Sequence, residues 1–232
     1  MSNRFSYLSR TKLLFTRLGI VLLLMSVTRI LFYIFNRSHF SHAGLNEFLA
    51  GIWFDCITIA LFYAPFTILQ LIPTRREKIF QIKERISKVL FLFTTSLMVA
   101  LNLMDFEYFK YTNKRSTSDL LSFLGAGSDF AQLATTFLKD FWILIVLLFF
   151  FIWMMERLYR RTQKSAYIPD HWKKSILEFV IIVPFMVIVG RGGFQLKPID
   201  IIGAAQFTTS ENSALVLNTP FTMLKSFGKE QL

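Results

Sequence analysis

The stretch LGIVLLLMSVTRILFYIF, residues 18–35, decides the fold, because Arg29 is its only charged residue. About 30 Å of hydrocarbon needs about 20 helical residues at about 1.5 Å each, so this stretch predicts a membrane-spanning helix. It is longer than the roughly 7–15 apolar residues of a cleaved signal peptide, and aromatic residues stand where a small-residue cleavage pattern would lie. We therefore expect a permanent span near the N-terminus.

Four further stretches of the chain have the same apolar character. Together with the first they predict an all-α fold, a polytopic membrane bundle of five transmembrane helices. The spans are expected at residues 18–35, 48–72, 89–106, 141–155 and 175–190. Hydrophobic residues make up 53% of the 232-residue chain and the mean hydropathy is +0.47, which argues against a soluble protein. The last three spans are short if the third ends at residue 104, so flanking residues must extend them, as to residue 106 in the third, or the bilayer must thin.

Basic residues are distributed unevenly between the segments on the two sides of these spans. Sixteen of the 26 Lys and Arg residues lie in segments 1–17, 73–88 and 156–174, together with only four acidic residues. Positive charge collects on the cytoplasmic side, so we predict a cytoplasmic N-terminus and an extracytoplasmic C-terminus in the cytoplasmic (inner) membrane. The net charge of +11 is then a signal of topology, and nucleic acid is not an expected partner.

The external segment 105–140 contains one apolar helical face. Its residues recur at i, i+3, i+4, i+7 and i+8, and they are Phe130, Leu133, Ala134, Phe137 and Leu138. Ser128 precedes this face in the position of an N-cap. The pattern predicts a helix at about residues 129–139 that lies in the outer interface of the membrane. A soluble hairpin packed on the other loops is the alternative.

Residues 191–232 are expected to form an extracytoplasmic juxtamembrane linker after a transmembrane domain of residues 1–190. Residues 208–211, TTSE, fit a capping box, and Thr219 followed by Pro220 fits an N-cap with proline at the first helical position. Two short helices are therefore predicted. They are too small to form a domain with a core of its own.

Two charged residues inside the predicted spans, Arg29 and Asp55, require a physical explanation. Each lies six or seven residues from the outer end of its span, which corresponds to a depth of roughly 10 Å. Equal depth on consecutive antiparallel helices permits an intramembrane ion pair. The pair could line a polar cavity under the outer surface. Alternatively, it is a structural pair, or Arg29 extends alone toward the headgroups.

The stretch GRGGFQLKPID, residues 190–200, follows the last predicted span. Arg191 and Lys197 are placed to contact lipid phosphates, and Gly192 and Gly193 permit backbone conformations that could expose N–H groups as an anion-binding nest. These four residues are the candidate lipid-headgroup contacts, and anionic phospholipid is the expected partner. The alternative is an interfacial anchor with a turn where the chain leaves the membrane.

The sequence contains no recognisable catalytic constellation. Its histidines are His39, His42 and His171; the first two share an external loop but lack an evident third metal ligand, and the predicted topology places the third on the other side. The single cysteine, Cys56, lies in an apolar run, where a buried thiol is unreactive. We therefore expect no catalytic residue, metal site or cofactor in this chain.

Three stretches carry a resemblance to a known family: DFEYFKYTNKRSTSDLL at residues 105–121, RGGFQLKPID at residues 191–200 and SALVLNTPFTMLKSFGK at residues 213–229. They resemble the external loop and juxtamembrane linker of lipoteichoic-acid-synthase-like proteins, which are membrane-anchored phosphoglycerol transferases of the sulfatase superfamily. The resemblance covers nearly the whole chain. It is more specific in these motifs than in the apolar spans.

The resemblance implies an extracytoplasmic catalytic domain with a threonine nucleophile and a divalent metal, usually Mn²⁺, that moves glycerol phosphate from phosphatidylglycerol to an acceptor. That domain would begin near residue 232, so its nucleophile and metal ligands have no counterparts here, and the sequence is expected to be a fragment or a truncated relative. The expected function is a catalytically silent membrane anchor and linker for such an enzyme. An independent small membrane protein, either a transporter subunit or a lipid-binding module, is the alternative.

Overall fold

The computed structural model describes residues 10–40, 43–74, 76–119, 141–163 and 172–227, and all regular structure in these ranges is helical. The α-helices are α1 (Arg10–Phe35), α2 (Leu45–Phe62), α3 (Ala64–Leu71), α4 (Glu77–Thr112), α5 (Trp142–Thr162), α6 (Trp172–Arg191), α7 (Ser213–Val216) and α8 (Thr219–Ser226). Short 3₁₀ helices occupy Arg37–His39 and Ile202–Gln206. The helix predicted at residues 129–139 lies outside the described ranges.

Four of these helices, α1, α2, α4 and α5, are long and apolar enough to cross a membrane. This confirms the all-α class and fits a multi-pass membrane protein. The fifth predicted span lies in α6, which has the necessary 20 residues but carries charges at both ends, namely Lys173, Lys174, Glu178 and Arg191. Its crossing of the membrane stays a prediction.

The span expected at residues 48–72 is not one unbroken helix. It divides at Tyr63, where backbone angles of φ −93° and ψ 9° separate α2 from α3. Pro65 follows in the first turn of α3, where its missing N–H removes no intrahelical hydrogen bond. Backbone hydrogen bonds still continue across the break, from Tyr63 N to Ile59 O at 2.9 Å and from Thr67 N to Tyr63 O at 2.8 Å.

Helix α4 is much longer than the span predicted at residues 89–106. Its 36 residues extend over about 54 Å, whereas about 30 Å suffices to cross the hydrocarbon. Glu77 lies in its first turn and Lys110 in its last, and both charges complement the helix dipole. The hydropathy pattern therefore located the apolar part of this helix, while its polar ends continue as helix beyond it.

The described helices contribute to two compact units. Unit 1 contains residues 1–24, 56–95 and 152–198, and unit 2 contains residues 25–55, 96–151 and 199–232. Helices α1, α2, α4 and α5 each contribute residues to both units. The predicted linker is divided as well, because its first residues belong to unit 1 and the rest to unit 2.

Unit 1 has an aromatic core beside a buried charge pair. Phe91 contacts Phe66 and Tyr159, with ring centroids 5.5 and 4.9 Å apart. The guanidinium of Arg17 lies 4.2 Å from the centroid of the Tyr159 ring, and its Nη2 lies 3.1 Å from Glu84 Oε2. Both charged side chains are buried, so each compensates the desolvation of the other.

Unit 2 is built around a second aromatic cluster. Phe32 in α1 contacts Phe106 and Phe109 of α4 at centroid distances of 5.9 and 5.1 Å. Phe54 of α2 contacts Phe221 of α8 edge-on at 5.2 Å. The C-terminal segment therefore contributes to the core of unit 2.

Candidate functional site

Two buried arginine–aspartate pairs lie within unit 2, and both bind the C-terminal segment. Arg29 Nη2 of α1 donates to Asp55 Oδ1 of α2 at 2.5 Å. Arg115, just after α4, lies with Nη1 3.5 Å from Asp105 Oδ2 of α4. The structure thus brings Arg29 and Asp55 together as a pair, and it adds a second pair that the sequence analysis did not identify.

Arg29 binds the C-terminal end of α7 as well as Asp55. Its Nη1 donates to the carbonyl oxygens of Val216 at 2.9 Å and Leu217 at 3.1 Å, and also to that of Leu215. The last carbonyls of a helix lack intrahelical partners and carry partial negative charge, so a guanidinium is well suited to this position. One buried cation therefore joins α1, α2 and the C-terminal segment.

The second pair holds the same segment from another side. Arg115 Nε donates to the carbonyl of Ala214 at 2.8 Å, and its guanidinium carbon lies 3.6 Å from the centroid of the Phe32 ring. Asp105 Oδ2 accepts a hydrogen bond from Thr219 Oγ1 at 2.5 Å. Residues 214–219 are thus held by both arginines and both aspartates, Asp55 through the side chain of Asn218, an arrangement that we call the tail clamp.

Amide side chains complete the tail clamp at the start of α8. Asn218 is the N-cap, and its Oδ1 accepts from Phe221 N at 3.0 Å while its Nδ2 donates to Asp55 Oδ1 at 2.8 Å. The backbone N–H of Thr219 donates to Asn102 Oδ1 at 3.3 Å. Asn218 therefore caps the helix and also joins it to the first charge pair.

Both helix starts predicted in this segment are wrong in detail. Thr219 is not the N-cap of α8, because the extended backbone of Asn218 takes that position and the Thr219 hydroxyl donates to Asp105 instead. The capping box at residues 208–211 is absent, since α7 begins after Asn212. The Thr208 hydroxyl donates to Glu47 Oε1 at 2.8 Å. In both cases a tertiary hydrogen bond replaces the local one.

The formal charges of the tail clamp cancel. Burial lowers the pKa of Arg115 to about 10 because the charged form loses its water, and the negative charge of Asp105 opposes this effect. The guanidinium therefore remains protonated at neutral pH. Buried charges of this kind are tolerated when they are paired and hydrogen-bonded, as they are here.

Gly51 lets the Arg29 side chain lie directly against α2. A Cβ at this position would be 2.5 Å from Arg29 Nε and 2.6 Å from its guanidinium carbon, closer than real Cβ atoms approach. Arg29 Nη2 also donates to the Gly51 carbonyl at 2.9 Å. The side chain of any other residue would displace the guanidinium from this position.

The predicted headgroup residues Arg191, Gly192, Gly193 and Lys197 belong to unit 1. Gly193 N donates to Ile188 O at 3.0 Å and Gly192 N to Val189 O at 2.8 Å, the two hydrogen bonds of a Schellman cap. The positive φ values of 84° and 125° at these glycines suit this cap. Because both N–H groups are bonded to helix carbonyls, they do not form the predicted anion-binding nest.

No group of three or more metal-ligating side chains occurs among the described residues. His39 Nδ1 lies 2.9 Å from Asn113 Oδ1 at an exposed position. His42 and His171 lie outside the described ranges. Cys56 is partly buried in α2.

One sequence signal could have revealed the second charge pair. Asn102 and Asp105 stand three residues apart in the apolar run VALNLMDF, which places two polar side chains on one face of the span. Arg115 carried no such signal, because its position after α4 resembles that of an ordinary loop residue. Its burial depends on contacts with Ala214, about a hundred residues later in the chain.

No protein-family model matches the chain, and no match is found among curated proteins or solved structures. The features of the described residues that bear on function are therefore the tail clamp and the four helices able to cross a membrane.

We predict that Gly51→Ala destabilises the protein by roughly 1–3 kcal/mol, because the added methyl group overpacks against Arg29. Gly19→Ala is the matched control, since a Cβ there has nothing within 4 Å. It should be neutral or stabilising by up to about 1 kcal/mol from helix propensity alone. Thermal unfolding in detergent measures both variants. Equal effects of the two substitutions would contradict the close approach of Arg29 to α2.

We also predict that Arg29→Leu and Asp55→Leu each cost about 3 kcal/mol, because each leaves its partner buried and unpaired. Arg29→Leu should cost more, since it also removes the donor to the α7 carbonyls. It should also increase proteolysis within residues 199–212.

The double variant should recover part of the loss, and a thermodynamic cycle of unfolding midpoints measures this coupling. Asp200→Leu, a charge removal outside the tail clamp, is the control for the loss of a carboxylate. Strictly additive losses at positions 29 and 55 would show that the pair does not interact.

Proposed function

We propose that this chain is a membrane anchor that holds its own C-terminal segment in a fixed position, as the base for an extracytoplasmic enzyme domain of the phosphoglycerol-transferase type. The observation that carries the proposal is the tail clamp, in which four buried charged side chains hold residues 214–219. The chain by itself would be catalytically silent. Its role would be to position a domain that acts on lipid headgroups outside the cytoplasmic membrane.

The burial of α8 supports a fixed base over a flexible linker. Phe221 is completely buried, and Pro220, Thr222 and Met223 are also buried. Ser118 N donates to Ser226 Oγ at 2.8 Å, which extends the attachment to the end of the helix. A flexible linker would let its end explore a wide volume, whereas this one would hold whatever follows it at a defined place.

Two of the stretches that resemble the phosphoglycerol transferases meet in the tail clamp. Residues 105–121 supply Asp105 and Arg115, and residues 213–229 supply Asn218 and Thr219. The resemblance therefore falls on residues with a joint structural role. In this proposal the threonine nucleophile and the Mn²⁺ belong to the separate domain, and no residue of this chain is assigned to either.

The surface of α6 supports a fifth membrane crossing. Apolar side chains are exposed along most of its length: Ile176, Leu177, Phe179, Val180, Ile181, Phe185 and Val187. Such a surface suits lipid rather than water, and 20 residues extend over about 30 Å. Five crossings with a cytoplasmic N-terminus would place residues 199–227 outside, in agreement with the distribution of basic residues.

A transporter subunit is the alternative favoured by one observation, the break between α2 and α3. Interrupted helices line many transport sites, where unwound backbone groups bind the substrate. Here the backbone hydrogen bonds continue through Tyr63, and the Tyr63 hydroxyl lies 2.5 Å from Thr95 Oγ1. The break therefore offers few polar groups to a substrate, and the anchor remains the better-supported function.

We predict that a cysteine at position 114 is labelled by a membrane-impermeant reagent in intact cells and that a cysteine at position 163 is not. Both positions are exposed, and Cys56→Ser provides a background without cysteine. Labelling after permeabilisation controls for reactivity at position 163. The reverse pattern would exclude the proposed orientation and, with it, an extracytoplasmic base.

We predict that the purified chain produces no diacylglycerol from phosphatidylglycerol with Mn²⁺, because the proposal assigns the nucleophile and the metal to another domain. Lipid chromatography measures the product, and a phospholipase C serves as a positive control for detection. Metal-dependent production that disappears in the Asp105→Asn variant would overturn the anchor function.

A further inference from the structure

We propose that residues 191–197 form a lipid-binding loop, in which Phe194 and Leu196 enter an anionic membrane surface while Arg191 and Lys197 bind its phosphates. The inference rests on the proposed crossing of α6, but it does not depend on which enzyme the anchor would serve. Its ligand class is an anionic phospholipid bilayer surface.

The exposure of the two apolar side chains is the first observation. Phe194 is 90% exposed and Leu196 is 98% exposed, whereas the exposed apolar residues of α6 reach at most 60%. Large apolar side chains so fully exposed are unfavourable in water, and two of them together indicate a surface that something covers. Because α6 leads directly into this loop, the nearest apolar phase is the membrane that α6 would cross.

The loop is closed by hydrogen bonds of its own. Arg191 Nη2 donates to the carbonyls of Gln195 at 3.3 Å and Leu196 at 3.0 Å, and Gln195 Nε2 donates back to Arg191 O at 3.4 Å. The Schellman cap at Gly192 and Gly193 reverses the chain before this closure. The loop is therefore preorganised, so that little conformational entropy remains to be lost when lipid binds.

The charges of the loop select the occupant. Residues 191–197, RGGFQLK, contain two basic residues and no acidic residue, and both basic side chains are exposed. Apolar residues between cationic ones match a bilayer interface, where acyl chains lie beneath phosphates. Each basic residue near an anionic surface contributes about 1 kcal/mol, or about fivefold in binding. An acidic apolar protein surface is the competing occupant, and the experiment distinguishes it.

The test places spin labels at single cysteines in the Cys56→Ser protein, reconstituted in nanodiscs of phosphatidylglycerol and phosphatidylcholine. Labels at positions 194 and 196 should be accessible to oxygen and shielded from a water-soluble nickel complex, as expected in the acyl region. A label at Ser210, which is exposed and polar, is the control and should show the reverse. Labels at 194 and 196 that behave like the Ser210 label would overturn the proposal and leave the loop to a protein partner.

Charge variants test the headgroup part of the loop. Arg191→Gln and Lys197→Gln should each lower the preference for phosphatidylglycerol over phosphatidylcholine about fivefold in native mass spectrometry. Lys114→Gln, at an exposed position outside the loop, should leave it unchanged. Arg191→Lys keeps the charge but loses the guanidinium fork, so it should retain most of the lipid preference while a label at 194 becomes more mobile. An unchanged lipid preference in both glutamine variants would contradict the headgroup contacts.

The two proposals fail in different ways. A reversed labelling pattern at positions 114 and 163 would remove the orientation on which the anchor depends. If position 114 is labelled and position 163 is not, as predicted, but the label at 194 is open to water, then the lipid-binding loop alone is refuted. All of the loop substitutions are at exposed positions, and an unchanged unfolding midpoint would show that each variant keeps its fold.

Discussion

Unit 2 depends on a single requirement, that the guanidinium of Arg29 be neutralised and hydrogen-bonded away from water. A buried charge without a partner is strongly destabilising, because it loses its water and gains no opposite charge. Asp55 supplies the opposite charge, and the carbonyls of Gly51, Val216 and Leu217 accept further hydrogen bonds from the guanidinium. Gly51 supplies the space in which the side chain lies. Helices α1 and α2 and the C-terminal segment are therefore fixed with respect to one another by one side chain.

The second pair, Arg115 with Asp105, applies the same principle to α4. Lipid is as apolar as a leucine side chain, so the hydrophobic effect does little to hold helices together within a bilayer, and close packing and polar contacts must do more. Both pairs use groups of the C-terminal segment, Asn218 for the first and Thr219 for the second. The segment therefore completes the polar interior of unit 2, and its removal would leave the buried charges without several of their hydrogen-bond partners.

Because the C-terminal segment is fixed in unit 2, the proposed anchor would orient a following domain as well as tether it. In an anchor with a free linker, a following domain would be tethered but not oriented. In this protein residue 227 directly follows the buried helix α8, so a following domain would begin at a fixed position. The proposed loop at residues 191–197 would add a contact with the lipid phase, and together the two features would hold such a domain close to lipid headgroups.

The sequence by itself determined the helical class, the apolar segments and the two charges at equal depth, because hydropathy and helical spacing are local properties. Equal predicted depth permitted a pair between Arg29 and Asp55, and the structure shows that they form one. Hydropathy did not locate the ends of α4, because its polar ends continue as helix beyond the apolar part. The predicted caps of α7 and α8 were wrong, since the hydroxyls of Thr208 and Thr219 bond to Glu47 and Asp105, which are distant in the chain. The N-cap of α8 is Asn218, and the hydroxyl of Thr219 donates to Asp105 instead of capping the helix. Only the tertiary structure could show that the apparent linker is part of the core. The buried guanidinium groups of Arg29 and Arg115 find their acceptors in Leu217 and Ala214, which are about 190 and about 100 residues later in the chain.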